Sequence, residues 1–535
     1  MAAVAGVFLF FSSGAFAAEH RARLSSDLEQ HLRSGSHQRA SVILSGTASE
    51  TDAIASRHGA TVKKRLRHGV VLDVSPEQLA ALAADPAVPH LSGDATVHRM
   101  MALSAQAIGA DQVQSGIGGL SGFTGRGVGV AVIDSGIANH KALNSQVIAS
   151  LDFTGDQHGR DEYGHGTHVA GIIAGGSEAS YAGVAPGAHI VSLRVLGADG
   201  SGSTSDVIAA IDWAIENRAR YGLRIINLSL GRPVFESYRE DPLCQAAQRA
   251  VDAGLVVIAS AGNFGKTPDG QPIVGGIVSP GNLPDAITVG ALNTKGTAMP
   301  SDDVVASFSS RGLTHIDGVL KPELVAPGNR VVAAAAHGSA IVNDYPERLM
   351  GGEGNHAYIE LSGTSMAAAV VSGAAALLLE AAPGLTPADV KLALQVTSSR
   401  VAGAGLIEAG AGSLNVAAAT LLVTGQSEPA VSIAGELADP SGVFYVTADT
   451  GGTNVGSLAA PVTLLWTALD PESHVSLGSD QALPTSIVWT NSIVWTNCIV
   501  WTNSIVWTNS IVWTNSIVWT NSIVWTNSIV WTNSI

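Results

Sequence analysis

Cysteine is almost missing from this chain: two in 535 residues, Cys244 and Cys498, far apart and in unlike surroundings. That excludes a disulfide framework and any CxxC zinc or redox pair. Cys244 sits in a helical pattern and reads as a small apolar packing residue. Charge is also scarce, at 13% of residues, and the balance is −16. Residues 18–100 carry 10 Lys/Arg against 9 Asp/Glu, whereas residues 101–535 carry 18 against 35, so the acidic surplus lies wholly downstream. An acidic body lacks the clustered Lys and Arg that nucleic acid or anionic membrane would need. Beyond the N-terminus no run reaches the roughly 18 apolar residues that span a bilayer. The small apolar stretch after Ser365, "MAAAVVSGAAALLL", therefore reads as a core helix rather than a transmembrane segment.

What is present begins with a secretory pattern. An apolar stretch runs from Ala2 to Phe11, and Ala15-Phe16-Ala17 fits an A-x-A cleavage site, although no Lys or Arg precedes Arg21. Residues 1–17 are thus expected to be a signal peptide and the product to be secreted. Residues 18–100 form a first domain. Within it "RASVILSG", "SETDAIASRHG", "TVKKRLRHGVVLDV", "SPEQLAALAADP" and "HLSGDATV" read β, α, hairpin, α, β. Ser75 and Pro76 make a helix start, and the order suits a small α+β split-βαβ sandwich.

Residues 101–420 change pattern. "GVGVAVID", "HIVSLRVL", "RIINLSL", "LVVIASAG" and "AITVGAL" are short, β-branched and apolar throughout, and helical segments such as "TSDVIAAIDWAIENRA" separate them. Strands apolar on both faces imply an α/β fold, a mostly parallel sheet with helices on both sides. "TPADVKLALQVTS" carries Thr386 as cap with Asp389 at the capping-box position. Residues 421–485 show weak periodicity and read as a linker or small β region. From Ser486 the chain is a hexapeptide repeat, eight copies of SIVWTN with Cys498 replacing one serine. The even period puts Ile, Trp and Asn on one strand face and Ser, Val and Thr on the other.

In parallel sheets, sites lie beyond the carboxyl ends of the strands, and four polar residues stand there. "AVIDSG" ends a strand with Asp134, and "GHGTHVAG" opens a small-residue helix with His165. "SAGNFG" follows a strand with Asn263, and "GTSMA" opens the apolar helix with Ser365. A hydroxyl, an imidazole, a carboxylate and a carboxamide are the parts of nucleophilic acyl transfer. His165 can take the proton of Ser365, and Asp134 can hold the other ring nitrogen as N–H. The Ser365 N–H at a helix start and the Asn263 side chain can donate to an oxyanion. His165 and His168 are spaced i, i+3, but no third ligand or HExxH glutamate supports a metal, so His168 reads as structural. "GRGVG" precedes its strand and fails as a dinucleotide loop.

These motifs resemble the subtilisin-like serine proteases over about residues 105–420. The order Asp, His, Ser is that family's, and "GVAPGA", "FSSRG" and "KPELVAPG" are similar to family segments. The resemblance implies a serine endopeptidase with Asp134, His165 and Ser365 as catalytic residues and Asn263 at the oxyanion. It also implies that Gly200, Ser201, Gly202 and Ser229, Leu230, Gly231 flank an extended peptide by backbone hydrogen bonds. Residues 18–100 resemble the inhibitory propeptide, with autoprocessing expected near residues 99–106. The implied partners are protein or peptide substrates and the chain's own propeptide.

The chain departs from the family at Ala369 and Val370, where proline and histidine usually follow the serine box. It departs again at Ala142, where an aspartate often serves calcium. No cofactor is required, and calcium is unsupported at that position. Asp344, Glu347 and Glu353 read as a solvated acidic loop. The repeat reads either as a low-complexity tail of no catalytic role or as a means of self-association or surface attachment. The competing reading of the whole is an exported adhesion or assembly protein with an idle protease-like domain.

Overall fold

The structure, a computed structural model, describes residues 22–33, 37–66, 69–93, 100–156, 160–176, 179–426 and 431–448, a strand at 462–467, and short strands between 487 and 530. The expected signal segment 1–17 lies outside the described residues. Two compact units divide the chain at residues 98 and 99.

In the first unit, antiparallel strands Ala40–Ser45 and Gly69–Val74 pair at the centre, and Thr61–Leu66 extends them as an edge. Helices Ala48–Arg57 and Pro76–Ala83 each start in a capping box, at Thr47 and Ser75. Ile54, Leu79 and Leu82 pack with Val42, Leu44, Val70 and Leu72 in one core. The edge strand, which carries Lys63, Lys64 and Arg65, is exposed along its whole length. A short strand Arg23–Leu24 and a helix Ser26–Arg33, absent from the sequence reading, complete the unit beside strand His90–Gly93.

The second unit is built on a parallel sheet. Its strands are β1 (Gly129–Asp134), β2 (Val147–Asp152), β3 (His189–Arg194), β4 (Leu223–Leu228), β5 (Val256–Ser260), β6 (Ile287–Asn293) and β7 (Leu324–Pro327). The spatial order is β2-β3-β1-β4-β5-β6-β7, with Val304–Val305 pairing β6 antiparallel. Every residue of β1 is buried, because helices cover both faces. Val130 and Val132 join one core with α1 (His165–Ala174) and α4 (Thr364–Ala381). Ala131 and Ile133 join the other with α2 (Thr204–Asn217) and α3 (Pro242–Asp252). This is the two-residue alternation of a strand sandwiched between layers. The chain leaves β1 for β2, returns to β3 and then crosses to β4 on the far side of β1. The strand order therefore switches at β1, where such sheets open a crevice at their carboxyl ends.

Helix α4 is, among the described residues, the helix long and apolar enough to cross a membrane, yet it is buried within this unit. Of its first sixteen residues only Ser365 is not fully buried. Ala369 and Val370 are both 0% exposed in its second turn, so the helix runs on unbroken where the family's proline would sit.

Residues 431–448 are part of this unit rather than a free linker. A hairpin, Val431–Ile433 with Glu436–Ala438, precedes strand Val443–Ala448, whose Phe444 packs on Val396. The buried Tyr445 hydroxyl donates to the Pro322 carbonyl. In the repeat, short strands pair in parallel at an 18-residue offset: Ile487 with Ile505 and Ile505 with Ile523, Ile493 with Ile511 and Ile511 with Ile529, and Ile499 with Ile517. Each paired residue of these strands thus lies beside its own copy three hexapeptides away.

Candidate active site

Asp134 is the last residue of β1 and His165 the first of α1. The Asp134 carboxylate, 0% exposed, accepts from His165 Nδ1 at 2.8 Å and 2.9 Å through its two oxygens. The flanking glycines make this approach feasible. A Cβ on Gly166 would collide with the Gly136 carbonyl and press on the Asp134 side chain, and Gly164 sits at φ 104°. Burial favours the neutral imidazole, but the charge and hydrogen bond of Asp134 outweigh it and raise the His165 pKa above its ordinary value. The carboxylate thus holds Nδ1–H and leaves Nε2 as the basic nitrogen.

Ser365 stands in the first turn of α4, half-buried. Its Oγ donates to the Ser229 carbonyl at 2.9 Å, and the Ser229 hydroxyl donates in turn to the Ser365 carbonyl at 2.9 Å. Asn263 follows β5 and is oriented by the same helix start: its Oδ1 accepts from Thr364 N at 3.0 Å and Thr364 Oγ1 at 3.2 Å. With the carbonyl end so fixed, Nδ2 is the end of the amide left to donate, and it lies near Gly363 at the helix start. The neighbouring Ser365 N–H is one of those a helix start leaves without an intrahelical acceptor, and Gly363 supplies no side-chain cap.

A cavity of about 410 Å³ brings His165 together with Gly200, Ser201 and Gly202 on one side and Ser229, Leu230 and Gly231 on the other. Gly200, at φ 76°, lies where any Cβ would strike the Tyr163 ring. The Ser229 side chain is committed inward, to Asn227 Oδ1 and the Ser365 carbonyl. Its side chain is therefore not available to the cavity.

A second cavity, of about 580 Å³, surrounds Ala142. Its described lining carries Lys141 and His356 and no carboxylate. Asp344, Glu347 and Glu353 are all exposed. His168 is fully buried with Nε2 3.1 Å from the carbonyls of both Val331 and Ile359, and burial pushes its pKa down to about 3. It is a neutral structural group. Burial likewise pushes the Cys244 thiol up to about 12, the mark of a packed cysteine.

Several contributors escaped the sequence reading. Ser310 brackets Asn263, accepting from Phe264 N at 3.0 Å through Oγ and donating to the Gly262 carbonyl at 2.9 Å through its own N–H. Thr364 orients the carboxamide. Asp161, 5% exposed, lies behind the Asp134–His165 pair, and burial lifts its carboxyl to about 6 against the hydrogen bonds it accepts. Ser310 lies in "FSSRG" and Thr364 in "GTSMA", segments whose sequence assigns neither residue a role.

The "Subtilase family" model of peptidases matches residues 125–416. The chain is similar to "Serine protease AprX" of Bacillus subtilis, 40% identical over 278 residues, which are 50% of this chain and 60% of that protein. It is also similar to an "Alkaline protease" of Alkalihalobacillus alcalophilus, 35% identical over 352 residues, 65% of this chain and 78% of the other. A solved "cold adapted subtilisin-like serine proteinase" aligns at 31% identity and TM-score 0.42, over 58% of this chain and 96% of its own. The family match spans more than half the chain and takes in Asp134, His165, Asn263 and Ser365 alike, so the chain belongs to the subtilase family of serine peptidases.

Proposed function

We propose that this chain is the precursor of a secreted serine endopeptidase that cuts peptide bonds through an acyl-enzyme on Ser365. The observation that carries this reading is the two-oxygen grip of buried Asp134 on His165 Nδ1. In the proposed reaction the Ser365 hydroxyl leaves the Ser229 carbonyl and passes its proton to His165 Nε2 as Oγ attacks the scissile carbonyl. The oxyanion is met by Asn263 Nδ2 and the Ser365 N–H. The imidazolium protonates the departing amine, the C–N bond breaks, and a water deprotonated by the same imidazole then hydrolyses the ester. These protein groups suffice without a cofactor. Gly200–Gly202 and Ser229–Gly231 hold the peptide backbone on either side of the cleft.

Residues 18–100 act as an inhibitor-type propeptide that the enzyme removes near residues 99–106, after export directed by residues 1–17. The repeat supports a further reading of the tail. Because these short strands pair with identical strands in register, a second copy of the chain can supply the next strand. Sedimentation velocity across a concentration series tests this, and a monomer independent of concentration removes it.

The decisive experiment compares the full-length chain with Ser365→Ala by intact mass and fluorophosphonate labelling. Loss of roughly the first 80 to 90 residues in the wild type alone, with labelling in the wild type alone, supports the reading. If both chains stay full length and neither takes the label, the domain is idle and the assembly reading replaces it.

A further inference from the structure

Asp161 and Ser135 form a clamp that none of the roles above uses. Asp161 Oδ1 accepts from Ser135 Oγ at 2.8 Å and from Gly164 N at 2.6 Å. Oδ2 accepts from Thr167 N at 2.8 Å and Thr167 Oγ1 at 2.5 Å. Ser135 Oγ itself accepts from Gly166 N at 2.9 Å, and Ser135 N donates to Asp134 Oδ1 at 2.7 Å. Thr167 Oγ1 accepts from Ala138 N at 2.8 Å. Ser135, Asp161 and Thr167 are all nearly or wholly buried.

The arrangement exceeds what capping a helix requires. A cap satisfies one or two first-turn N–H groups, and α1 has Gly164 at its cap position with no side-chain cap of its own. Asp161 supplies that cap through Gly164 N and Thr167 N. It also reaches across to Ser135, the residue after Asp134. The strand end at 134–138 and the helix start at 164–167 are separated by more than twenty residues of chain, and this carboxylate bonds to both. Each carboxylate oxygen meets one hydroxyl, which can turn to accept, and one backbone N–H, from Gly164 or Thr167, which can only donate.

We propose that Asp161 is a positioning residue for proton transfer: its carboxylate fixes the place of His165 relative to Asp134, and so aims Nε2 at Ser365. The proposal rests on the catalytic reading of Asp134, His165 and Ser365. Asp161→Asn is the sharp variant, because it keeps the shape but turns an NH₂ toward donors on one side of the clamp. A misplacement near 1 Å in such a pair costs on the order of 10²-fold in rate.

The test uses the full-length chain as Asp161→Asn, Ser135→Ala, Ser365→Ala and wild type. Fluorophosphonate titration counts competent sites, so kcat on a chromogenic peptide is expressed per titrated site, and melting temperature is followed in parallel. The expected result is a fall in kcat per site of about 10- to 100-fold for Asp161→Asn with KM within about twofold, and a smaller fall for Ser135→Ala. A purely structural role would lower the number of competent sites and the melting temperature but leave kcat per site unchanged, and that result overturns the proposal. If Asp161→Asn does not fold, Ser135→Ala decides on the same criterion. If Ser365→Ala keeps activity, the catalytic reading itself fails, and that outcome is distinct from wild-type kcat in Asp161→Asn beside an inactive Ser365→Ala.

Discussion

Ser365 Oγ donates to the Ser229 carbonyl at 2.9 Å, while His165 is bound through its far nitrogen to Asp134. The proposed nucleophile and its proposed base are thus each held, but by different partners. Hydrogen bonds between catalytic groups often tighten only when substrate arrives. The hydroxyl makes one replaceable bond to a carbonyl, so Ser365→Ala should leave the melting temperature nearly unchanged. Peptidase activity should fall by on the order of 10⁶-fold, the size measured for this substitution in subtilisin. Calorimetry beside an amidase assay checks both halves, and a variant that unfolds early would show the Ser229 contact to be structural.

Asn263→Ala should lower kcat by about 10²–10³-fold with little change in KM, a magnitude taken from the same substitution in subtilisin. The reason here is geometric: Thr364 anchors Oδ1 and leaves Nδ2 as the donor. Removing the anchor with Thr364→Val should reproduce part of the loss. Steady-state kinetics separate the two, since an equal rise in KM would mean ground-state binding instead.

The pH profile should carry the signature of His165. Only the neutral ring accepts a proton, and the net effect of Asp134 against burial is a pKa above the ordinary histidine value. Activity should therefore be high at alkaline pH and fall as pH drops through a midpoint above about 6.5. A plot of kcat/KM against pH gives that midpoint directly, and one below 6 would contradict the assignment of His165 as base.

Stability should respond to pH through a different acid. Asp303 is 3% exposed, and its Oδ1 has no hydrogen-bond partner among the described residues. Burial, then Asp302 and Glu436, push its carboxyl up to about 8, while Lys295 opposes them. A carboxyl raised in the folded state is held protonated there. Its contribution is whole below the ordinary carboxyl range and is lost as pH rises through about 8. Asp303→Asn should accordingly raise the melting temperature at pH 9 and leave it almost unchanged at pH 4. Scans at the two values, in the Ser365→Ala background to prevent self-digestion, decide the matter.

Glu323 is the most exacting buried charge. Its carboxylate, 1% exposed, meets Lys321 Nζ at 2.8 Å and Lys391 Nζ at 2.8 Å and accepts from Thr288 N at 2.7 Å. Glu323→Gln would leave two ammonium groups with neutral acceptors alone, among them the Pro284 and Ala286 carbonyls that both lysines already meet, a loss of about 3–5 kcal/mol. Denaturant unfolding, again in the Ser365→Ala background, would measure it. A cost below about 1 kcal/mol would mean that those carbonyls suffice to hold the lysines.

Much of this molecule could be read before any coordinates. Strands apolar on both faces announced a covered parallel sheet, and a polar residue immediately after such a strand can only sit at its carboxyl end. Asp134, His165, Asn263 and Ser365 were found by that logic, because local spacing sets which residues leave a strand or open a helix. The Ser75 and Thr386 capping boxes were legible for the same reason, since their partners lie three residues away.

What the tertiary structure alone decided is which distant groups meet. Asp161 bonds to Ser135 from 26 residues away, Ser310 to Phe264 from 46, and Ser365 to Ser229 from 136. No periodicity reports such pairs, because they follow from how helices cross the sheet rather than from how either segment folds. Residues 431–448 read as little more than a linker for a related cause. Phe444 and Tyr445 become core only because Val396 and Pro322 present surfaces for them to cover. Local chemistry chose the reactive groups, and long-range packing chose their partners and the direction each one points.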